Sequence, residues 1–151
     1  MGDIEEVEGI PVLLDKAYNI RLQYRDIVRL RLAIQHLKAM APKDDPIRAA
    51  EDNPIVLLDR LVERREGDDG QMRILPRDEW ALRALLWAAL RREDASITLD
   101  RTADLIDDFM RTRKGTLGDL AFAVWMAWHV GFVDQETSAP KGDAGAEAQT
   151  A

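Results

Sequence analysis

The sequence predicts a mainly α-helical protein, with about five helices in one compact domain, a small N-terminal β-hairpin and a disordered C-terminal tail. Three observations support this fold class. Apolar residues recur at steps of three and four over most of the chain, residues that begin helices precede several of these segments, and 46% of the 151 residues are hydrophobic, which is enough for a core. We expect the domain to span residues 1–135 and the tail to span residues 136–151.

The first element is an expected β-hairpin within residues 10–24. Two short runs of β-compatible residues flank residues 15–19, where a turn is favourable. Pro11 has no N–H to donate to a neighbouring strand, so we expect the first strand at an edge.

The first two helices are predicted from apolar spacing and from proline. One stripe of the first helix comprises Ile27, Leu30, Ile34 and Leu37. Pro42 ends this helix, and residues 43–52 form a charged connector with room for a short helical turn. Asn53 and Pro54 supply the N-cap and the first-turn proline of the second helix. Its stripe comprises Ile55, Leu58, Leu61 and Val62, and the loop at residues 67–70 is expected to end it.

Three further helices follow. The third is expected to open at Pro76, Asp78 and Glu79 and to end near Arg92, and the fourth to be capped by Thr98. For the fifth helix, Thr116-Leu117-Gly118-Asp119 resembles a capping box, and Gly131 followed by Phe132 predicts a C-terminal glycine cap. Few apolar residues follow Val133. We therefore expect residues 136–151 to be disordered, because the entropic cost of ordering them exceeds the free energy that their contacts would contribute.

Composition excludes several kinds of protein. No cysteine is present, so disulfides and thiolate metal sites are impossible. The net charge of −7 argues against a nucleic-acid-binding surface. The acidic N-terminus does not resemble a secretory signal, and the apolar stretches are shorter than the roughly 20 residues that span a bilayer. We therefore expect a cytoplasmic protein that binds neither nucleic acid nor membranes.

Catalytic motifs are also missing from the sequence. It has no dinucleotide-binding glycine motif, no Walker lysine loop and no nucleophile elbow. His36 and His129 each stand alone within apolar segments. The acidic pair Asp107 and Asp108 cannot converge on one ion, because adjacent helical residues point about 100° apart. The sequence thus predicts a non-enzyme with no catalytic residue, metal ligand or cofactor.

The aromatic residues are more informative. On the third helix, Trp80 and Trp87 lie nearly opposite the stripe that contains Leu82, Leu85, Leu86, Ala89 and Leu90. The fifth helix likewise interleaves two apolar sets and carries Trp125 and Trp128. Two interpretations stay open: all four tryptophans belong to one core, or some line an exposed groove for a partner helix.

Two segments carry a family resemblance. The first runs from Ile10-Pro-Val-Leu-Leu-Asp to Asn19-Ile-Arg-Leu-Gln-Tyr-Arg-Asp-Ile-Val-Arg-Leu, and the second begins Leu82-Arg-Ala-Leu-Leu-Trp-Ala-Ala-Leu-Arg-Arg-Glu-Asp and ends with Leu105-Ile-Asp. Together with the alanine- and aromatic-rich segment at residues 120–130, they resemble tail assembly chaperones of long-tailed bacteriophages. The resemblance covers most of residues 7–133 and consists of hydrophobic spacing rather than a catalytic motif.

The resemblance implies a chaperone that binds and solubilises the tape measure protein in the host cytoplasm before the tail tube polymerises, and that is absent from the mature virion. It also implies self-association and, as a second candidate partner, the tail tube protein. A helix-binding groove would then be lined by Trp80, Trp87, Trp125, Trp128 and Phe132.

Two alternatives remain. One is another phage helical adaptor, such as a head–tail connector or a small regulatory protein. The other is a metal-dependent enzyme that uses Asp104, Asp107 and Asp108.

Overall fold

The computed structural model describes residues 9–75 and 78–138, and the described chain is mainly helical. Its elements in chain order are β1 (Ile10–Leu13), β2 (Ala17–Ile20), α1 (Tyr24–Met40), a 3-10 helix (Pro46–Ala49), α2 (Pro54–Asp59), β3 (Glu63–Glu66), β4 (Met72–Leu75), α3 (Glu79–Leu90), α4 (Leu99–Arg111) and α5 (Leu117–Ser138). The predicted fold class, helical with a small N-terminal hairpin, is confirmed.

The N-terminal hairpin is half-buried, with alternating side chains facing the core. Strands β1 and β2 pair antiparallel, with Val12 opposite Tyr18. Both of these side chains are buried, whereas Leu13 is 56% exposed on the other face. The backbone N–H of Leu22, just after β2, donates to the carbonyl of Ala127 at 3.1 Å and so links the hairpin to α5.

Helix α1 has the predicted stripe and a reciprocal cap. Ile27, Leu30 and Ile34 are buried. Asp26 accepts a hydrogen bond from the backbone N–H of Gln23 at 2.8 Å, which completes a capping box at the helix start. The helix ends before Pro42, and the expected short turn in the connector is the 3-10 helix, whose first turn is capped by the Asp45 carboxylate.

Helix α3 is the centre of the fold. Nearly all of its residues from Ala81 to Leu90 are buried, and α1, α2, α4 and α5 all pack against it. A helix that is apolar on two faces needs cover on both sides, and these four neighbours supply it. The helix begins at Glu79, as predicted, whereas Pro76 lies outside the described residues. The side chain of the N-cap residue Asp78 accepts from the N–H of Trp80 at 3.0 Å.

The predicted starts of α4 and α5 are confirmed. Thr98 caps α4 by accepting from the N–H of Arg101 at 3.0 Å. At the start of α5, the N–H of Thr116 donates to Asp119 at 2.8 Å, and the N–H of Asp119 donates back to the Thr116 hydroxyl at 3.1 Å. These two bonds form the reciprocal capping box that the sequence indicated.

A second hairpin was not predicted. The second helix ends at Asp59, and the strands β3 and β4 then pair antiparallel across a turn at residues 67–71. Gly70 has a φ of +79°, and the Asp69 carboxylate accepts from the N–H of Gln71 at 3.1 Å. The expectation that Leu61 and Val62 continue a helix was wrong, because the loop at 67–70 is a hairpin turn and the charged run after Val62 is an extended strand.

The predicted end of α5 was also wrong. The helix continues past Gly131 to Ser138, so three residues assigned to the disordered tail, 136–138, are helical. A glycine cap requires a left-handed residue, and Gly70 is the only glycine with positive φ in the described part of the chain. One glycine inside a helix costs only about 1 kcal/mol, which a long apolar helix can tolerate. The remaining expected tail, residues 139–151, lies outside the described residues.

Candidate functional site: a tryptophan cleft beside α3

A cleft of about 1060 Å³ opens between the C-terminal end of α1, the 3-10 helix, α3 and the segment that leads into α4. Its apolar lining includes Leu37, Met40, Ile47, Trp80, Trp87 and Ile97. Met40 is 72% exposed, so the cleft has an apolar residue at its mouth. An apolar cleft of this size is a suitable binding site for another molecule.

The spacing of the two tryptophans places them together in the cleft. Trp80 and Trp87 are seven residues apart, which is about two helical turns, so they share one face of α3. The indole N–H of Trp80 donates to the carbonyl of Glu51 at 2.9 Å, and that of Trp87 donates to the carbonyl of Ile97 at 2.9 Å. Each polar atom is thus satisfied within the chain, and the rings act as apolar surface.

The two tryptophans have different exposure. Trp87 is 7% exposed and belongs to the core, whereas Trp80 is partly buried and packs against the core from its edge. These two rings therefore pack against the core and also line the cleft.

An arginine lies over each of the two rings. The guanidinium of Arg83 lies 5.3 Å from the Trp80 ring centroid, and that of Arg91 lies 4.8 Å from the Trp87 ring centroid. Both distances are within the range of cation–π contacts. The buried Nε of Arg83 has no hydrogen-bond partner among the described residues. The cleft therefore offers positive charge next to its apolar lining.

A third arginine at the cleft is engaged by acids. Arg60 lies 3.9 Å from Glu51 and 3.7 Å from Asp78. Asp45 and Asp100 also line the cleft, and Asp45 is occupied in capping the 3-10 helix. Arg83 and Arg91, by contrast, form no ion pair with any residue in the described ranges. These two side chains remain able to receive a carboxylate from a partner.

The tryptophans of α5 lie elsewhere. Trp125 stacks between Phe122, at a centroid distance of 6.1 Å, and His129, at 4.4 Å. Phe122 is 40% exposed, so this row reaches the surface, and both Trp125 and Trp128 are partly buried against the core. No described residue of α5 lines the cleft.

The tryptophans grouped from the sequence thus divide between two places. Trp80 and Trp87 line the cleft, and Trp125 and Trp128 do not. Phe132 lies within the helical backbone of α5, and its side chain is outside the described part of the structure.

Sequence reasoning missed several cleft residues. Met40 and Leu37 come from α1, and Ile47 comes from the connector. The arginines carried a usable signal, because Arg83 follows Trp80 by three positions and Arg91 follows Trp87 by four, and these spacings place each pair side by side on a helix.

Metal chemistry finds no support in the described ranges. No three histidine, aspartate or glutamate side chains lie close enough there to hold a metal ion. Asp108, one of the three candidate metal-binding acids, instead lies 3.0 Å from Arg111 and 4.0 Å from Lys114. A separate finding is that no helix within residues 9–75 and 78–138 is both long enough and apolar enough to span a bilayer.

Comparisons of the chain with protein-family models, with curated proteins and with solved structures gave no significant match.

Proposed function

We propose that this protein is a phage tail assembly chaperone that binds helical segments of the tape measure protein in the cleft beside α3 and keeps that protein soluble before the tail tube polymerises. The observation that carries the proposal is the cleft itself, in which Trp80 and Trp87 stand two turns apart behind the exposed Met40. The resemblance of residues 10–30 and 82–107 to tail assembly chaperones supplies the identity of the partner.

The cleft suits an amphipathic helix. Trp80 and Trp87 are separated by about 10 Å along α3, which matches apolar side chains seven residues apart on a partner helix. Tryptophan and arginine are the residues that most often dominate binding energy at interfaces. Arg83 and Arg91 would receive acidic residues that flank the apolar stripe of the partner, which fixes its orientation.

A holding function follows from this arrangement. A tape measure protein is a long helix with much apolar surface and aggregates when that surface is uncovered. A chaperone with a net charge of −7 would cover part of that surface while its own charge keeps the complex in solution. We place this function in the host cytoplasm, outside the mature virion, with the tail tube protein as a second candidate partner.

The test is co-expression with the long helical protein encoded beside this gene, followed by a solubility assay and a pull-down. Met40→Asp places a charge at the cleft mouth, and it should abolish both complex formation and solubilisation. Ile55→Asp is the matched control, because Ile55 is also an exposed apolar residue, 60% exposed, and does not line the cleft. Neither substitution removes a buried side chain, so both variants should fold.

The possible outcomes separate two claims. If the partner remains insoluble with the wild-type chain and no complex forms, the chaperone proposal is wrong. If a complex forms but Met40→Asp binds as well as Ile55→Asp does, the chaperone proposal stands and the cleft is not its binding site.

A further inference from the structure

Helix α1 has an exposed face that nothing in the described chain covers. Tyr24, Val28 and Leu32 follow one another at steps of four and are 66%, 39% and 60% exposed. Residues at this spacing form one continuous line of about 12 Å on the helix surface. Single apolar residues scattered over a surface are normal, whereas a contiguous line of three large apolar side chains indicates an interaction surface.

Positive charge borders this apolar line on both sides. Arg25 and Arg29 lie along one side of it and Arg31 along the other, at about 100° per residue. All three are exposed, and none forms an ion pair with a described residue. The only acid of α1, Asp26, is buried on the opposite face and engaged by Arg92. A local basic surface on a chain of net charge −7 calls for an acidic partner.

The outer face of α4 has the complementary character. Asp100, Asp104 and Asp107 are exposed, and they follow one another at steps of four and three on a single face. None of the three pairs with a cation among the described residues, whereas Arg101 and Arg111 are engaged by Asp15 and Asp108. Met110, 40% exposed, lies beside this acidic row.

We propose that copies of this protein associate head to tail, with the exposed face of α1 in one copy docked on the acidic face of α4 in the next. Arg25 and Arg29 have the same four-residue spacing as Asp100 and Asp104, so two ion pairs can form at once. Leu32 and Met110 then supply apolar contact beside the charges. Asp100 also lines the cleft, whereas the other residues of the two faces do not, and the inference does not depend on the tape measure protein as the partner.

Both faces are exposed within one molecule, so neither covers the other. Helices α1 and α4 each pack against α3, and the two are not in extensive contact with each other. One copy therefore cannot satisfy its own α1 face with its own α4 face. A contact between two different faces repeats from copy to copy and yields a ring or an open chain of subunits rather than a symmetric dimer.

Sedimentation velocity of the full chain as a function of concentration tests this inference. At low ionic strength the wild type should form species larger than a dimer, and raising the salt should reduce them because exposed charges are screened. Leu32→Asp should remain monomeric, and so should Asp104→Arg with Asp107→Arg. Ile55→Asp, altered at a residue that matches Leu32 in its 60% exposure, should associate like the wild type.

Mixing the two defective variants gives the sharpest outcome. The Leu32→Asp chain retains an intact α4 face, and the Asp104→Arg, Asp107→Arg chain retains an intact α1 face. One productive contact remains, so the mixture should form a one-to-one dimer and nothing larger. A wild type that stays monomeric, a Leu32→Asp variant that still associates, or a mixture that stays monomeric would each overturn the inference.

Discussion

The guanidinium of Arg92, just beyond the end of α3, donates to the buried carboxylate of Asp26 in the first turn of α1 at 3.1 Å. The same carboxylate oxygen accepts from the backbone N–H of Gln23 at 2.8 Å. A single acid thus caps one helix and joins it to the end of another. This pairing fixes the start of α1 relative to α3, the two helices between which the cleft opens.

Asp26→Ala should lower the free energy of unfolding by about 3 kcal/mol, because it removes the cap and leaves a partly buried arginine without its partner. Urea denaturation measures the change. Asp26→Asn is the matched control: its amide oxygen can still accept from Gln23 while the charge is lost, so its effect should be smaller. A loss of less than about 1 kcal/mol in the alanine variant would contradict the structural role assigned to Asp26.

Gly115→Ala should also destabilise the protein. An added Cβ would lie 2.7 Å from Cζ of the buried Phe109 and 2.9 Å from the carboxylate of Asp119, which caps α5. Relieving both contacts should cost about 1–3 kcal/mol, as overpacking usually does. Thermal unfolding measures the change.

Arg113→Gly is the control in the same linker. Arg113 has a φ of +58°, which glycine adopts without strain, so its effect should stay within about 1 kcal/mol in either direction. If both variants lost the same stability, the linker would be sensitive to any substitution, and the close approach of Gly115 to Phe109 would not be the cause.

Tyr18 should lose its proton at a higher pH than an ordinary tyrosine does. Its burial, followed by its hydrogen bond to Asp15, raises the pKa of the phenol to about 12. The chain has two tyrosines, so in Tyr24→Phe the tyrosinate absorbance reports Tyr18 alone. The neutral phenol is favoured in the folded state, so its contribution to stability is complete below about pH 10 and is lost as the pH rises toward 12.

The control for this titration is Asp15→Ala in the same background. It removes the acceptor and a nearby negative charge, so the absorbance midpoint should fall. A midpoint near that of free tyrosine, measured while circular dichroism shows the protein still folded, would contradict the burial of Tyr18 in the hairpin.

Asp15 itself should titrate below its ordinary range. Burial opposes its charged form, but hydrogen bonds from Tyr18 and Arg101 and the charge of Arg101 outweigh that cost and lower its pKa. Its contribution to stability is therefore present above the unfolded value of about 3.9 and is lost as the pH falls through the lower folded value. Arg101→Gln should raise the carboxyl midpoint seen by NMR, and an unchanged midpoint would remove Arg101 as a cause.

The helices were largely predictable because their signals are local. The spacing of three and four residues predicts the buried face of α1, which contains Ile27, Leu30 and Ile34. The caps at Thr98 and Thr116 depend only on residues within three positions. The β3–β4 hairpin was missed because its first strand consists of charged residues, so no apolar alternation marks it. The passage of α5 through Gly131 was missed because a glycine can either end a helix or be tolerated inside it.

The sequence could predict which tryptophans share a helix face, but not which separate segments of the chain meet to form the cleft. Seven-residue spacing placed Trp80 and Trp87 on one face of one helix. Their neighbours across the chain, Glu51 for Trp80 and Ile97 for Trp87, depend on how separate segments meet, which residue spacing does not encode. For the same reason, the sequence could not show that Trp125 lies outside the cleft that Trp80 and Trp87 line.

The link between the N-terminal hairpin and α5 has a consequence for synthesis on the ribosome. The hairpin leaves the exit tunnel before the helices that follow it, yet two of its partners are translated much later. The Lys114 side chain donates to the carbonyl of Leu14 across 100 residues, and the N–H of Leu22 donates to the carbonyl of Ala127. Two strands alone are marginally stable in water. The nascent chain must therefore carry Val12 of β1, which packs against α5, uncovered until α5 has been translated. The order of translation makes this hairpin among the last elements to reach its native surroundings.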